Sequence, residues 1–350
     1  PEDKRYKKLA GRNVILPLMR RIIPVVADKR VDARFGTGAV KITPAHEPLD
    51  WEIGKTHKLE EIQVIDEKAG ITPLGGEYAG MGVREARAKI IEDLKKEKLL
   101  EKTESIKHSV SECERCKSTI EPLISDQWFV NVDHPKMSLK KMALRAVKNG
   151  EIRIYPESFE KILTGWFSNL HDWCISRQIW WGHRFPVYYR KTNSKNDKEI
   201  CVGLKPPRGK GWAQDENTFD TWFSSGQWAY NTLGYPAGKD YKNFYPTDMM
   251  VMGRDILFFW AARMIILSLY RTGKIPFKNL FFTGLVRDKE GHKMSKSRGN
   301  GIDPIGMIKK YGADALRLSL VIDTTPGQDF RLYEEKIESF RNFANKLWNI

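Results

Sequence analysis

An apolar run at residues 247–252 (TDMMVM) stops at Gly253, residues 255–270 carry apolar side chains at helical spacing, and a second apolar run fills 280–286. Strand, helix and strand in that order leave little choice of topology. Two strands joined through a helix lie parallel, and the crossover packs back on the sheet. A further helix is expected from about Pro304 to Val321, with Asp303 as its N-cap and Pro304 in its first turn. The pattern is the second half of a doubly wound, Rossmann-type α/β sheet, whose ligands bind beyond the carboxyl ends of the strands.

A chain of 350 residues is longer than this unit requires, so further packed units are expected. Residues 13–65 alternate short apolar runs (NVILPL, IIPVVA, GAVKIT, IQVID) with Gly and Pro, the pattern of a β-rich domain, and 82–98 switch to helical spacing. Four segments follow: a β-rich mixed α/β domain over 1–105, a connecting region over 106–160, the parallel half-domain over 161–325, and the start of a helical domain over 326–350. The chain opens without Met and stops at Ile350 inside an amphipathic pattern, FRNFANKLWNI, that has no helix stop signal. It therefore reads as an internal fragment.

Charge narrows the partners. Lys and Arg number 59 against 44 Asp and Glu, a net +15, which is the footprint of a phosphate-rich partner such as nucleic acid. Hydrophobic content of 41% speaks against long disorder. The most apolar stretch, Ile256 to Tyr270, is short and interrupted by Arg263, so no membrane span is expected. Four cysteines, at 113, 116, 174 and 201, are too few for a disulfide scaffold and fit a reducing cytoplasm.

The sharpest chemical signal is Lys293-Met-Ser295-Lys296-Ser297, followed by Arg298-Gly299-Asn300, just after the second strand. Two lysines three residues apart on a loop with small hydroxyl residues can neutralise the charge that grows as pyrophosphate leaves a triphosphate. Ile256 and Trp260, four apart, share one face at the start of the helix that follows Gly253, and Trp222 can close the other side. The pattern leaves open whether these three are ordinary core or the wall of a small apolar pocket. Asp255 is equally open between a helix cap and a ligand contact.

The KMSKS string resembles the second signature of class I aminoacyl-tRNA synthetases, in which the second lysine, Lys296 here, stabilises the adenylate-forming transition state. The segments DWCISRQIWWGHRFPVYY, DTWFSS, GRDILFFWAARM, GLVRDKEGHKMSKSRGN and TPGQDFR resemble, in matching order, those of the valyl-tRNA synthetase family. Isoleucyl and leucyl enzymes share the architecture and an ISRQ-like segment but lack the WWGHR and DILFFWAARM wording. The family's first signature, of the His-Ile-Gly-His type, is absent from these residues. The resemblance implies activation of valine with ATP and Mg2+, transfer to tRNA(Val), and a monomer when complete. It assigns catalysis to Lys296 and Lys293. ATP or adenylate contacts fall on Lys293, Ser295, Lys296, Ser297, Gly253 and Asp255, and valine contacts on Trp222, Ile256 and Trp260. Without the first signature, the 350 residues alone are not expected to form adenylate.

Residues 36–50, GTGAVKITPAHEPLD, are similar to the proofreading pocket of these enzymes, which makes 1–105 the C-terminal part of an editing domain and 326–350 the start of the anticodon-binding domain. The resemblance gives Asp50 the amino group of a misattached threonine and lines the pocket with Lys41 and Thr43. Glu47 departs from the family, where aspartate is usual. His46, a single histidine without partners in the sequence, reads as structural. Cys113-x-x-Cys116 is half of a zinc knuckle, which would need further ligands from outside this chain to hold Zn2+. Cys201 stands alone, and no metal is expected there. The alternatives are isoleucyl specificity, or a non-synthetic tRNA-binding or trans-editing module.

Overall fold

The computed structural model describes residues 3–350 except 106, 108, 114, 115 and 192–197, together with the side chain of Ser297. His108, five residues before Cys113 and so a further candidate ligand for that half-knuckle, lies outside the described residues. The chain divides into two compact units, residues 1–126 and 127–350.

The first unit is less β-rich than its sequence suggests. Strands Asn13–Leu16 and Arg21–Pro24 pair as an antiparallel hairpin, followed by helices Pro48–His57 and Val83–Lys96. The apolar runs at 38–43 and 62–66 do not form strands; only a single bridge, Ile65 to Ile71, appears there. A strand needs a neighbour for its N–H and C=O groups, and among the described residues the first run has no ladder partner and the second has only that bridge. Val40 in the first of these runs is exposed, and so are Val14, Ile15 and Ile22 in the hairpin. Helix Val83–Lys96 turns Ala86 into the unit, and its charged face is laced by Lys89–Asp93 and Lys96–Glu92 ion pairs one turn apart.

The second unit contains the expected parallel sheet, with one strand more than the sequence revealed. Strand Thr247–Gly253 pairs with Phe277–Thr283, and that strand pairs on its other side with Arg153–Tyr155, all parallel. Residues 127–160, read as part of a connecting region, thus belong to the sheet unit. Three residues are too short for an apolar alternation to stand out. Helices Leu139–Lys148, Ser158–Ser168 and Ala262–Thr272 pack through Ala143, Ala146, Leu163, Phe167, Met264, Ile265 and Ile266 on Ile154, Met250, Met252, Leu280 and Phe282. This covers one face. On the opposite face Met249, Val251 and Tyr155 are exposed, so the described part of the sheet is wound on one side only.

Two helices depart from expectation. The segment expected as one helix from Asp255 begins as a 3-10 turn at Arg254–Ile256, widens to a π turn at Leu257–Ala261, and becomes an α-helix only over Ala262–Thr272. The wide turn sends three successive aromatics in three directions. Phe258 stacks on Trp166, Phe259 on Trp222, and Trp260 meets Trp228 edge-on. The helix expected over 304–321 is two helices, Pro304–Tyr311 and Ala313–Val321, broken where Gly312 takes φ 90° and ψ 156°. Asp303 caps the first of them as expected, accepting from the Ile305 and Gly306 amides. The last helix, Glu334–Trp348, packs Ile337 against Tyr311, Ala315 and Leu316.

Candidate functional site

The loop holding the two lysines is built on strand Phe277–Thr283 and fastened at both ends. At its base Val286–Arg287 pairs in parallel with Phe330–Arg331. Asp329 gathers this corner. It accepts from the Leu285 amide (2.9 Å), from Arg254 through Nε and Nη2 (3.1 and 2.8 Å), and from Arg287 Nε (2.7 Å). Burial raises its carboxyl pKa, but the Leu285 amide and the two guanidiniums outweigh that and hold it at about 2. Higher in the loop, Asn300 closes the turn: its Nδ2 donates to Asp288 (2.7 Å), and its Oδ1 accepts from the Ser295 amide (2.9 Å).

Lys293, held in this frame, reaches Asp255 Oδ2 at 2.7 Å. The sequence had named the two residues separately, 38 positions apart. Their pairing brings the loop to the carboxyl end of strand Thr247–Gly253, where Asp255 follows immediately. Asp255 does not cap its turn through its side chain. Gly253 leaves it room, because a Cβ there would sit 2.7 Å from Asp255 Oδ1. Lys296 begins the short turn Lys296–Arg298, is exposed, and has no ion pair among the described residues. Ser295 precedes it in extended conformation, and the Ser297 side chain lies outside the described part.

The proposed apolar wall is partly assembled. Trp222 lies in the turn Thr221–Ser225 and stacks on Phe259 at 5.6 Å, while Trp260 Nε1 donates to the Ser225 carbonyl at 2.9 Å. The Trp222 turn is therefore tied to the π turn after Gly253. Ile256, Trp260 and Trp222 are all half-buried, the first two against the main core and Trp222 against a second cluster of Trp173, Ile175, Phe185, Val187 and Leu267.

In the first unit, the expected pocket residues form a short chain of hydrogen bonds. Lys41 Nζ donates to Thr43 Oγ1 at 2.5 Å, and the Thr43 amide donates to Asp50 Oδ2 at 2.7 Å. Asp50 Oδ1 has no hydrogen-bond partner among the described residues. Glu47 occupies the N-cap position of helix Pro48–His57 but makes no capping bond with its side chain. His46 is a brace: Nε2 accepts from the Val64 amide (2.9 Å), and Nδ1 lies 3.2 Å from the Pro122 carbonyl, a pattern that fits a proton on Nδ1. A cavity of about 1250 Å³ opens in this unit, with Lys41 and Thr43 on its wall but not Asp50 or Glu47.

At the two cysteines, Cys113 and Cys116, the Lys117 amide donates to the Cys113 carbonyl. The Cys116 thiol donates to Ser118 Oγ at 3.3 Å, and hydrogen bonding with Ser118, first through its side chain, and with Cys113 lowers its pKa to about 7. Among the described residues no group of three or more His, Cys, Asp or Glu side chains is placed to hold a metal, so these two thiols do not make a four-ligand zinc site. Among them, too, no helix is long and apolar enough to cross a membrane.

The polar anchors were missed by sequence reasoning: Asp329 with Arg254 and Arg287, Asn300 with Asp288, and Asp220 with Trp173 and Arg177. All lie inside segments that the resemblance had marked. Nothing in spacing pairs residues 12 to 75 positions apart.

Residues 83–333 match the family described as tRNA synthetases class I (I, L, M and V). The whole chain is 52% identical to a valine--tRNA ligase of Clostridium tetani and 50% identical to that of Pseudothermotoga lettingae, spanning 40% of the length of each. Among solved structures, a Mycobacterium tuberculosis methionyl-tRNA synthetase bound by methionyl-adenylate superposes on 67% of this chain and 41% of its own, with TM-score 0.50 and 22% identity. That likeness is one of fold. With a family match over 83–333, a parallel sheet and a KMSKS loop at its carboxyl edge, the chain belongs to the class I tRNA synthetases of the I, L, M and V group.

Proposed function

We propose that the chain is the editing and catalytic-loop portion of a valine–tRNA ligase. The observation that supports this reading is the 2.7 Å contact of Lys293 with Asp255, which brings the KMSKS loop to the end of strand Thr247–Gly253, at the residue before Ile256. There, a valine carboxylate oxygen attacks the α-phosphorus of ATP, the bond to pyrophosphate breaks, and valyl-adenylate forms. Lys296 and Lys293 face the phosphates, with Ser295 and Ser297 beside them, and take up the negative charge that develops on pyrophosphate. ATP enters as its magnesium salt, the ion belonging to the substrate. Gly253 and Asp255 meet the adenylate, and the two indoles with Ile256 bound the valine side chain. A terminal ribose hydroxyl of tRNA(Val) then attacks the acyl carbon, and AMP leaves.

Selection by shape leaves threonine poorly excluded, a limit for which valyl-tRNA synthetases are the standing example. The first unit fits the hydrolytic correction of that error, with the free oxygen of Asp50 available to a threonyl ammonium and Lys41 and Thr43 bracing it. The chemistry belongs in the cytoplasm, and a zinc ion would need ligands besides Cys113 and Cys116.

Valine-dependent ATP–pyrophosphate exchange tests the synthetic half in the full-length protein. Lys296→Ala should slow exchange by about 10²–10³-fold with little change in KM, because the charge acts on the transition state. Exchange within about twofold of wild type would remove Lys296 from the mechanism.

A further inference from the structure

A buried polar network lies behind the Trp222 turn and has no part in the phosphate chemistry. At its centre is Asp220, only 6% exposed. Asp220 Oδ1 accepts from the Trp222 amide at 3.0 Å and so caps the turn that carries that indole. Its Oδ2 accepts from Trp173 Nε1 at 3.0 Å and from Arg177 Nη2 at 2.7 Å. A simple helix cap uses the first contact; the other two are additional.

The network continues to the opposite wall. The Arg263 guanidinium stands over the Trp173 ring at 4.0 Å and the Trp166 ring at 5.0 Å. Arg263 belongs to the helix that continues the Ile256 and Trp260 turn, and its Nη1 has no hydrogen-bond partner among the described residues. Burial brings it down to about 10, and the nearby Asp220 charge partly offsets that fall. The two walls approach closely beside it. A Cβ at Gly226 would lie 2.8 Å from Leu267 Cδ1, 2.8 Å from the Trp222 carbonyl and 3.3 Å from Arg263 Cβ. Trp173 and Asp220 thus bridge the Trp222 turn to the helix across from it, at a place where the backbones have no slack.

We propose that Asp220 is a positioning residue for the amino-acid pocket, holding the Trp222 turn against the helix of Ile256, Trp260 and Arg263 and so setting the width that separates valine from a substrate one methylene longer. This rests on the assignment of valine to the Trp222 wall. The ionised carboxylate matters because only an acceptor-only group satisfies the Trp222, Trp173 and Arg177 donors together. Asparagine in its place keeps the shape but presents an N–H to one of them. The turn is then free to shift, and a hydrophobic pocket separates homologues by only about 10–200-fold per methylene, so a small shift is felt.

The test measures exchange with valine and with isoleucine in the full-length protein, normalised by active-site titration. Asp220→Asn should raise the valine KM about tenfold, hold the ATP KM within about twofold, and lower the valine-over-isoleucine ratio of kcat/KM about tenfold. Gly226→Ala forces the same two elements apart without touching the carboxylate and should lower the ratio in the same direction. Should Asp220→Asn fail to fold, the glycine variant decides. Wild-type valine KM and discrimination in each variant that folds would overturn the proposal, as would loss of active sites without any change in KM or discrimination. Trp222→Ala separates the two layers: an unchanged valine KM there would sink the pocket assignment itself, whereas a raised one beside an unaffected Asp220→Asn would sink only the positioning role.

Discussion

Asp50 already gives one carboxylate oxygen to the Thr43 amide, so its substitution tests a brace and a ligand together. Against a misattached threonine, Asp50→Ala should remove a charge-assisted contact worth roughly 1.5–3 kcal/mol, about a ten- to hundredfold loss in deacylation of threonyl-tRNA(Val). Valylation should stay near normal, because its residues lie in the other unit. Equal loss of both activities would make Asp50 a purely structural residue. His46 belongs to the opposite class. Its ring nitrogens are engaged by backbone groups of residues 64 and 122, so His46→Ala should destabilise the first unit, by about 1–3 kcal/mol for the orphaned amides, while the synthetic reaction continues. Chemical denaturation of the mutant checks it, and an unchanged midpoint with lost deacylation would return His46 to the chemistry.

At the scale of elements, Asp329 makes the KMSKS loop a part of the sheet rather than an appendage. Its carboxyl is held at about 2, below the ordinary carboxylate value. Stability from a group with a depressed pKa is complete above its unfolded value and drains away as pH falls through its folded value, here between about pH 4 and pH 2. Arg254 and Arg287 are partly exposed, so solvent screening reduces the contribution to about 1–2 kcal/mol. Asp329→Asn should therefore lower stability at pH 7 by that amount and flatten the acid limb of the unfolding curve, read by denaturant titration at several pH values. An acid limb identical to wild type would mean that the clamp adds nothing. Further along, Asp303→Ala should cost about 1 kcal/mol by freeing the Ile305 and Gly306 amides at the start of helix Pro304–Tyr311.

The whole molecule carries a net charge of +15, which the fold does not require. If that excess serves tRNA, the 350-residue chain should retain measurable tRNA affinity that falls steeply with salt, by about 10³-fold between roughly 50 and 200 mM if six or more phosphates are engaged. Filter binding across a salt series checks this, and affinity insensitive to salt would point away from phosphate contacts. The same chain should give no valine-dependent exchange. Its described sheet has three strands, and the family's first signature is not among its residues. Robust exchange would require a replacement for that signature within residues 1–350.

The sequence by itself determined the strand–helix–strand crossover, the cap at Asp303 and the placing of the two KMSKS lysines on a loop just after a strand, because each is written in residues close along the chain. Local order suffices there: periodicity, a capping side chain and two lysines on one loop. It overestimated strands in the first unit, since a strand is completed by a partner that an apolar run cannot specify. It also missed the break at Gly312 and the π turn at Leu257–Ala261, which answers the separate packing of Phe258, Phe259 and Trp260. Only the tertiary structure joined Lys293 to Asp255, Asp329 to its two arginines, and Asp220 to the Trp173 indole. Those contacts span 38 to 75 positions, and a charge finds its partner through the fold that desolvates it, not through its neighbours in sequence.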